Sequence, residues 1–346
     1  MALWVVRAGK TGDRETECLE QQICAIGWPD LDDLSKYSTK DELHKKMEAT
    51  YSNFGPKKVI NHLGQLWAFS KKIQVGDIVV LPLKKQAAIA IGKVTSDYKH
   101  NSNAKPGLNH YRSVDWVRTD IPRTAFNQDL LYSFGAFMTV CQIKRNNAEQ
   151  RVLEILKGKE DPKLSGIKNE QINYPEEIDD EDTSSIDLEQ AIKDEIVTFI
   201  KQESASDGYK FSNLVNAVLQ AQGYTTHESS PGPDGGVDIL AGSGPMGFSP
   251  PRMVVQVKAT SSPVDVKVYR ELMGIMQNYG ADLGLLVSWG GFKGSVLKES
   301  LTNFFKIRLW DQGSLINELL KVYDKLPEDF RAELPLKRVW LLVSEE

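Results

Sequence analysis

The chain has 346 residues, of which 41% are hydrophobic and 26% are charged, and its formal net charge is -5. This composition is typical of a soluble globular protein, and the length is sufficient for two domains with separate cores. No stretch approaches the roughly eighteen consecutive apolar residues of a membrane-spanning helix, and residues 1–10 lack a signal-peptide core, so we expect a cytoplasmic protein.

The three cysteines do not form a metal-binding pattern. Cys18, Cys24 and Cys141 are an odd number, and their spacing does not match that of known zinc sites. We therefore expect free thiols in a reducing compartment and no zinc centre.

Residues 1–150 combine short strands with helices. The sequence predicts a strand followed by a Gly turn within residues 3–9, helices at 39–51 and 56–69, a hairpin formed by 75–82 and 88–94, and a further strand at 110–117. This order predicts a small β-barrel with helices packed against it. The same residues carry 21 Lys and Arg against 16 Asp and Glu. This modest excess is expected of a domain that contacts phosphates, and by charge alone it is equally consistent with a solvated surface that has no partner.

The order of these elements resembles the PUA-like superfamily, in particular its EVE-type readers of modified bases. Members of that group hold a flipped base in an aromatic pocket at the mouth of the barrel, where stacking contributes about 1–3 kcal/mol per base. The resemblance implies a sensor domain with eight candidate base- or nucleic-acid-binding residues, although a tryptophan in a small domain is more commonly part of the core. The candidates are Trp4, Arg7, Trp28, Trp67, Tyr98, Tyr111, Arg112 and Trp116, and Arg7 and Arg112 are the ones expected at a phosphate.

Residues 151–185 are predicted to be an exposed, flexible linker. They include the acidic run EEIDDED at 176–182, in which like charges repel one another. A second hypothesis is that this acidic stretch lies over a basic face and competes with nucleic acid.

Residues 186–346 are predicted to form a second domain in which helices and strands alternate. Helices are expected at 188–202, 209–222, 264–279, 293–305 and 313–323, and buried strands at 283–288 and 306–310. Such alternation predicts a mixed central sheet flanked by helices, so the chain as a whole is expected to combine α+β and α/β architecture in two domains.

Two further strands of this domain carry the residues with the clearest chemical potential. Asp238 lies near the start of a strand at 237–240, while Gln256 and Lys258 lie two residues apart on a strand at 253–258 and therefore share one face of the sheet. If the strands pair, Asp238, the amide oxygen of Gln256 and the carbonyl of Val257 provide the oxygen ligands that Mg²⁺ or Mn²⁺ prefers. A metal beside Lys258 is suited to phosphodiester hydrolysis.

The same domain resembles the Mrr-like branch of the PD-(D/E)xK restriction endonuclease superfamily, in the variant that has Gln as the middle acidic residue. The resemblance is carried by YKFSNLV at 209–215, QGY at 222–224, PDGGVDI at 233–239, VQVK at 255–258 and VSWGGF at 287–292. It implies that Asp238, Gln256 and Lys258 are catalytic. Ser212 stands where many family members carry an acidic residue, and Asp234 is an alternative auxiliary ligand or a turn residue.

Together these features predict a modification-dependent, type IV-like DNA restriction endonuclease. It would hydrolyse phosphodiester bonds of foreign or modified double-stranded DNA with Mg²⁺ or Mn²⁺, as a homodimer or higher oligomer because one site cuts one strand. Two alternatives remain open at this stage. One is a non-specific defence DNase released by a ligand of the N-terminal domain, and the other is a catalytically weak DNA-binding protein.

Overall fold

The computed structural model describes residues 1–135, 138–159, 161–162, 187–204, 208–229 and 236–339. The chain divides into two compact units, Met1–Ala191 and Ile192–Ser344. The acidic run at 176–182, predicted to lie in a flexible linker, and Asp234, predicted as an alternative ligand, lie outside the described residues. Within the described ranges, no helix is long and apolar enough to cross a membrane.

The first unit is built on one large sheet with helices around it. Its described elements, in chain order, are β1 (Leu3–Val6), α1 (Glu15–Glu20), β2 (Ile23–Ile26), α2 (Lys40–Thr50), α3 (Pro56–Trp67), a π-helical turn (Ala68–Lys72), β3 (Ile78–Pro82), β4 (Ala88–Val94), β5 (Lys99–His100), β6 (His110–Pro122), α4 (Gln128–Phe134), β7 (Val140–Ile143) and α5 (Ala148–Leu156).

This sheet is a curled half-barrel, whereas the sequence predicted a small barrel. Its strands follow the order β2-β6-β4-β3-β1-β7, with β5 paired to β6, and the predicted hairpin is confirmed by the antiparallel pairing of β3 and β4. The pairing of β4 with β6 shifts register near Ile91 and Gly92, and such bulges bend a sheet. Among the described pairings, none joins β2 to β7, so the sheet curls without closing.

Asp77 connects three parts of the first unit. Its carboxylate accepts hydrogen bonds from the backbone N–H of Ala2 (2.8 Å), the indole Nε1 of Trp4 (3.0 Å) and the backbone N–H of Gln74 (3.0 Å). Trp4 is only 3% exposed and packs in the core. The expectation that Trp4 lines a base-binding pocket is therefore wrong, because its ring and its only polar atom are both engaged inside the unit.

The second unit is a mixed sheet between two layers of helices. Its described elements are α6 (Leu188–Ser204), which begins before the unit boundary, α7 (Gly208–Ala221), β8 (Thr225–Glu228), β9 (Ile239–Ser243), β10 (Ser249–Lys258), α8 (Val266–Asn278), β11 (Leu283–Ser288), α9 (Gly294–Ser300), β12 (Ile307–Asp311), α10 (Gln312–Val322) and α11 (Glu328–Glu333).

The strand order β12-β11-β10-β9-β8 confirms the predicted mixed sheet. Strands β10, β11 and β12 are parallel, whereas β8, β9 and β10 are antiparallel. One face packs against α7 and α10, and the other packs against α8 and α9. Burial on both faces explains the continuous apolar run of β11.

We expect Asp77→Ala to destabilise the first unit strongly. The substitution leaves the indole N–H of Trp4 and two backbone N–H groups without their acceptor, at a cost of about 1–3 kcal/mol for each buried group. Urea denaturation measures the loss, and Asp115→Ala, at an exposed position of β6, is the matched control with an expected effect within about 0.5 kcal/mol. Equal losses in the two variants would contradict this role for Asp77.

Candidate functional site

Asp238 lies directly before β9 and is fixed to the neighbouring strand by two hydrogen bonds. Its backbone N–H donates to the carbonyl of Val255 (3.0 Å), and its Oδ2 accepts from the backbone N–H of Val257 (2.6 Å). The carboxylate is thus held beside the last residues of β10. This arrangement follows from the antiparallel register that pairs Val255 with Ile239.

Gln256 and Lys258 extend from the same face of β10. Side chains alternate along a strand, and Val254 on this face packs in the cluster formed with α8.

Burial raises the pKa of Asp238, while the hydrogen bond from Val257 and the charge of Lys258 act in the opposite direction. The three residues predicted from the sequence, Asp238, Gln256 and Lys258, lie at one end of β10, the central strand. Burial makes ionisation of the Asp238 carboxyl group unfavourable.

Gln256 is the most deeply buried of the three. It is 3% exposed, and its Oε1 has no hydrogen-bond partner among the described residues. Gly236 lies against the amide, since a Cβ on Gly236 would be 3.3 Å from Nε2 of Gln256. A buried amide oxygen without a donor is costly and is suited to a cation.

The donor set fits a hard divalent cation. Asp238 and Oε1 of Gln256 are oxygen donors, and the backbone carbonyl of Val257 lies between Gln256 and Lys258 in the sequence. The described residues contain no group of three or more His, Cys, Asp or Glu placed to hold a metal. A site with few ligands from the protein suits Mg²⁺, because this ion retains several water ligands when it binds to proteins.

Ser288 is a candidate residue that the chemical argument from sequence did not single out. It is the last residue of β11, in register with Lys258 on one side and Asp311 on the other. Ser288 is fully buried, and its Oγ has no hydrogen-bond partner among the described residues. The sequence feature that could have indicated Ser288 is its place at the carboxyl end of a predicted buried strand. Functional groups of parallel sheets converge at this end of the strands.

Ser212 occupies the helix position at which the resemblance implied an acidic ligand. It lies on α7 after Phe211, whose buried ring packs edge-on against Trp289 with 5.1 Å between the ring centroids. The side chain of Ser212 is half-buried. This position therefore contributes a hydroxyl and no carboxylate.

Arg112 has a structural role in the first unit. It is 2% exposed, and its guanidinium donates to the carbonyl oxygens of Phe69 (2.8 Å), Ser70 (3.1 Å) and Ser96 (3.2 Å). The expectation that Arg112 contacts a phosphate is wrong, because its side chain is buried and binds the π-helical turn. A sequence does not distinguish such an arginine from an exposed one.

Trp28 lies in a small aromatic cluster on the same unit. Its indole Nε1 donates to Nδ1 of His62 (3.1 Å), and the His62 ring packs edge-on against Trp28 and Phe54 with centroid distances of 5.2 and 5.4 Å. The backbone of Trp28 has a φ of 62°, a left-handed conformation that is unusual for a bulky residue. All three side chains are half-buried.

His110 supports the backbone of Trp28. Its Nε2 contacts the carbonyl oxygen of Trp28 at 3.2 Å, and its Nδ1 contacts the hydroxyl of Tyr98 at 2.7 Å. Burial lowers the pKa of His110 to about 4, so the ring is neutral at pH 7. A neutral ring that donates from Nε2 and accepts from Tyr98 satisfies both contacts.

The remaining predicted pocket residues differ in their surroundings. Tyr98 also accepts a hydrogen bond from the backbone N–H of Leu34, and the indole of Trp116 donates to the carbonyl of Cys18. Trp67, Tyr98 and Trp116 pack against the same core cluster as Trp28, whereas Tyr111 packs against a different one. Arg7 donates to the carbonyl of Phe134 (2.9 Å).

We expect Asp238→Asn to stabilise the metal-free protein at neutral pH. The raised pKa means that the folded state favours the protonated carboxyl, so the contribution of Asp238 to stability is complete below about pH 4 and is lost as the pH rises through the pKa of the folded state. Asparagine is neutral at every pH and can still accept from Val257, so its advantage should shrink on acidification.

Thermal unfolding without Mg²⁺ measures the stability of the metal-free protein, and unfolding with Mg²⁺ measures the stabilisation by the cation. A cation at a hundred times its Kd stabilises a folded protein by about 2.7 kcal/mol, and this gain should be absent in Asp238→Asn. The control is Asp265→Asn, an exposed N-cap carboxylate of α8 that should respond to Mg²⁺ like the unmodified chain. An equal Mg²⁺ response in Asp238→Asn would exclude Asp238 as a ligand.

The solved structures that are similar to this chain include two restriction endonucleases. The DNA modification-dependent restriction endonuclease AspBHI aligns with a TM-score of 0.34 and 13% identity, over 90% of this chain and 78% of its own. The MspJI restriction endonuclease in complex with a 27-mer oligonucleotide aligns with a TM-score of 0.31 and 12% identity, over 97% of this chain and 80% of its own. No curated protein matches the chain in sequence.

Two family models match separate parts of the sequence. Residues 4–142 match a domain of unknown function, DUF8426, which covers the curled half-barrel. Residues 204–319 match the restriction endonuclease family Mrr_cat, and this range contains Asp238, Gln256, Lys258 and Ser288. The C-terminal part of this chain is therefore a restriction endonuclease domain of the Mrr type.

Proposed function

We propose that this protein is a metal-dependent DNA endonuclease that acts on DNA carrying a modified base. The observation that supports it most is the convergence of Asp238, Gln256 and Lys258 at one end of β10, within a restriction endonuclease domain. The buried, unpartnered Oε1 of Gln256 adds a reason for a cation at this place.

Each residue of the triplet has a distinct role in the proposed reaction. Bound Mg²⁺ or Mn²⁺ would supply an activated water and neutralise charge on the phosphate. Asp238 and Gln256 bind the cation through oxygen atoms, with the Val257 carbonyl as a further ligand. Lys258 stabilises the charge that develops on the phosphate oxygens in the transition state.

The first unit provides the proposed recognition of the modified base. A PUA-like reader stacks a flipped base between aromatic rings, and the half-buried cluster of Trp28, Phe54 and His62 offers such rings. The strained backbone of Trp28 supports this assignment, because strain of about 1–3 kcal/mol tends to occur at functional sites.

Cleavage of both DNA strands requires two copies of the site. The described residues contain one such triplet per chain, and one site hydrolyses one strand at a time. We therefore expect a homodimer or higher oligomer on double-stranded DNA.

The test of the function is cleavage of matched plasmids, one unmodified and one carrying methylcytosine or hydroxymethylcytosine. We expect cutting of the modified plasmid with Mg²⁺ and none with EDTA. Cutting of both plasmids at the same rate would exclude dependence on modification. Cutting of unmodified DNA only after addition of a small ligand would identify a ligand-triggered nuclease.

Lys258→Met provides the catalytic variant for this assay. It should lower the cleavage rate by at least about 100-fold, because it removes stabilisation of the transition state, while leaving binding of the oligonucleotide in EDTA unchanged. Lys298→Met removes the same charge from an exposed position of α9 and should cleave normally. Normal cleavage by Lys258→Met would refute the assigned role of the lysine.

Trp28→Ala tests the recognition of the base. It should remove about 1–3 kcal/mol of the preference for modified over unmodified oligonucleotide, measured by binding in EDTA, with little change in affinity for unmodified DNA. Trp28→Phe keeps a ring but loses the donor to His62, and should retain most of the preference. An unchanged preference in Trp28→Ala would place the base elsewhere.

A further inference from the structure

Ser288 brings a buried hydroxyl group into the candidate nuclease site. Its side chain is fully buried, and its Oγ has no hydrogen-bond partner among the described residues. Burial of a hydroxyl without a partner is costly, and the polar groups that proteins leave unsatisfied tend to mark sites for ligands or chemistry. The neighbours of Ser288 indicate which group its oxygen serves.

Ser288 ends β11 in register with Lys258, the last residue of β10. The two strands are parallel and about 5 Å apart, so residues in register extend their side chains side by side from the same face of the sheet. That face is the one covered by α8, because Leu286, two residues before Ser288, packs in the cluster formed with that helix. The Ser288 hydroxyl therefore lies beside the side chain of Lys258.

The ends of β10 and β11 are held together by the segments that follow them. The N–H of Trp289 donates to the carbonyl of Lys258 (2.9 Å). Gly290 approaches the loop after β10 so closely that a Cβ on it would lie 2.4 Å from the carbonyl oxygen of Ser262. Backbone contacts therefore fix the separation of Ser288 from Lys258.

Lys258 has a carboxylate on one side and this hydroxyl on the other. The strand order is β11-β10-β9, so Ser288 adjoins Lys258 from β11, whereas Asp238 adjoins it from the side of β9. Lys258 is half-buried, and its positive charge acts on Asp238. An ammonium group drawn onto Asp238 would compete with a cation for the same carboxylate oxygens. A second acceptor for the lysine keeps both groups available.

The other neighbour of Ser288 in the sheet has a structural task. Asp311 is in register with Ser288 on β12, and its Oδ1 accepts from the N–H of Ser314 (2.8 Å) as the N-cap of α10. On the side of β10, the oxygen of Ser288 can accept one of the three N–H bonds of an ammonium group. The other two remain for the oxygens of a phosphate.

We propose that Ser288 is a positioning residue for Lys258. Its Oγ accepts a hydrogen bond from the ammonium group and holds that group away from Asp238, so that the carboxylate stays available to the cation and the lysine faces the phosphate. This inference rests on the proposed function and deepens it, because it takes the cation site and the role of Lys258 from there.

The test is thermal unfolding of the full chain over a range of Mg²⁺ concentrations, without DNA. Ser288→Ala should raise the Mg²⁺ concentration at half-maximal stabilisation about fivefold, because Lys258 then pairs with Asp238. In the Lys258→Met background, the same substitution should leave this concentration unchanged, because no ammonium group competes for the carboxylate. An unchanged concentration in Ser288→Ala, or an equal rise in the Lys258→Met background, would overturn the proposal.

The unfolding temperature without Mg²⁺ separates positioning from a structural role. Ser288→Ala should unfold at the same temperature as the unmodified chain or at a higher one, because it removes an unsatisfied buried hydroxyl. A lower temperature would show that the hydroxyl supports the fold and would overturn the proposal. The matched control is Ser300→Ala, which removes a half-buried hydroxyl that donates to the carbonyl of Leu297 (2.9 Å) on α9 and should leave the Mg²⁺ dependence unchanged.

Cleavage of the modified plasmid at saturating Mg²⁺ provides a second readout. Ser288→Ala should cut about tenfold more slowly, with unchanged affinity for duplex in EDTA, because the ammonium group is no longer directed at the phosphate. A normal cleavage rate in Ser288→Ala would reject the positioning role and leave the proposed function intact.

The Mg²⁺ dependence of unfolding does not require cleavage, so the two proposals can fail separately. A chain that cuts no DNA but shows the rise in Ser288→Ala would reject the nuclease activity and keep the role of Ser288. Absence of any stabilisation of the unmodified chain by Mg²⁺ would reject the cation site and this inference together.

Discussion

The pairing of β9 with β10 is the constraint on which the candidate nuclease site depends. It places the carboxylate of Asp238 2.6 Å from the backbone N–H of Val257, next to Gln256 and Lys258. A backbone donor is a rigid partner, because the strand it belongs to is held by β11 on its other side. The carboxylate is thus fixed in a half-buried position that disfavours its own charge, and Lys258 compensates only in part.

The same end of the sheet contains other buried oxygen atoms that lack partners. Oε1 of Gln256 and Oγ of Ser288 are both buried and unpaired within the described part of the chain. Proteins usually satisfy such groups, and those they leave unsatisfied tend to mark sites for ligands or chemistry. A mixed sheet covered by helices on both faces can carry this cost, because the two hydrophobic layers stabilise the strands independently of the polar end.

The first unit uses polar side chains in two different ways. Asp77, His110 and Arg112 are buried and fully engaged in joining strands, loops and the π-helical turn. Trp28 instead has a left-handed backbone and lies in a half-buried aromatic cluster with Phe54 and His62. Asp77, His110 and Arg112 maintain the half-barrel, whereas Trp28 belongs to the cluster that we propose receives the modified base.

Most of the secondary structure, and the prediction that Asp238, Gln256 and Lys258 form a metal-dependent site, follow from local features of the sequence. Strand alternation requires Gln256 and Lys258 to share a face in any sheet, and the apolar periods of α7, α8 and β11 are local properties of the chain. Which polar residues are buried depends instead on the tertiary structure. Trp4 and Arg112 resemble Trp28 and Arg7 in sequence, but Asp77 and the π-helical turn, distant along the chain, engage the first two in the core. The open, curled shape of the first sheet and the position of Ser288 beside Lys258 likewise depend on long-range contacts, which local periodicity does not encode.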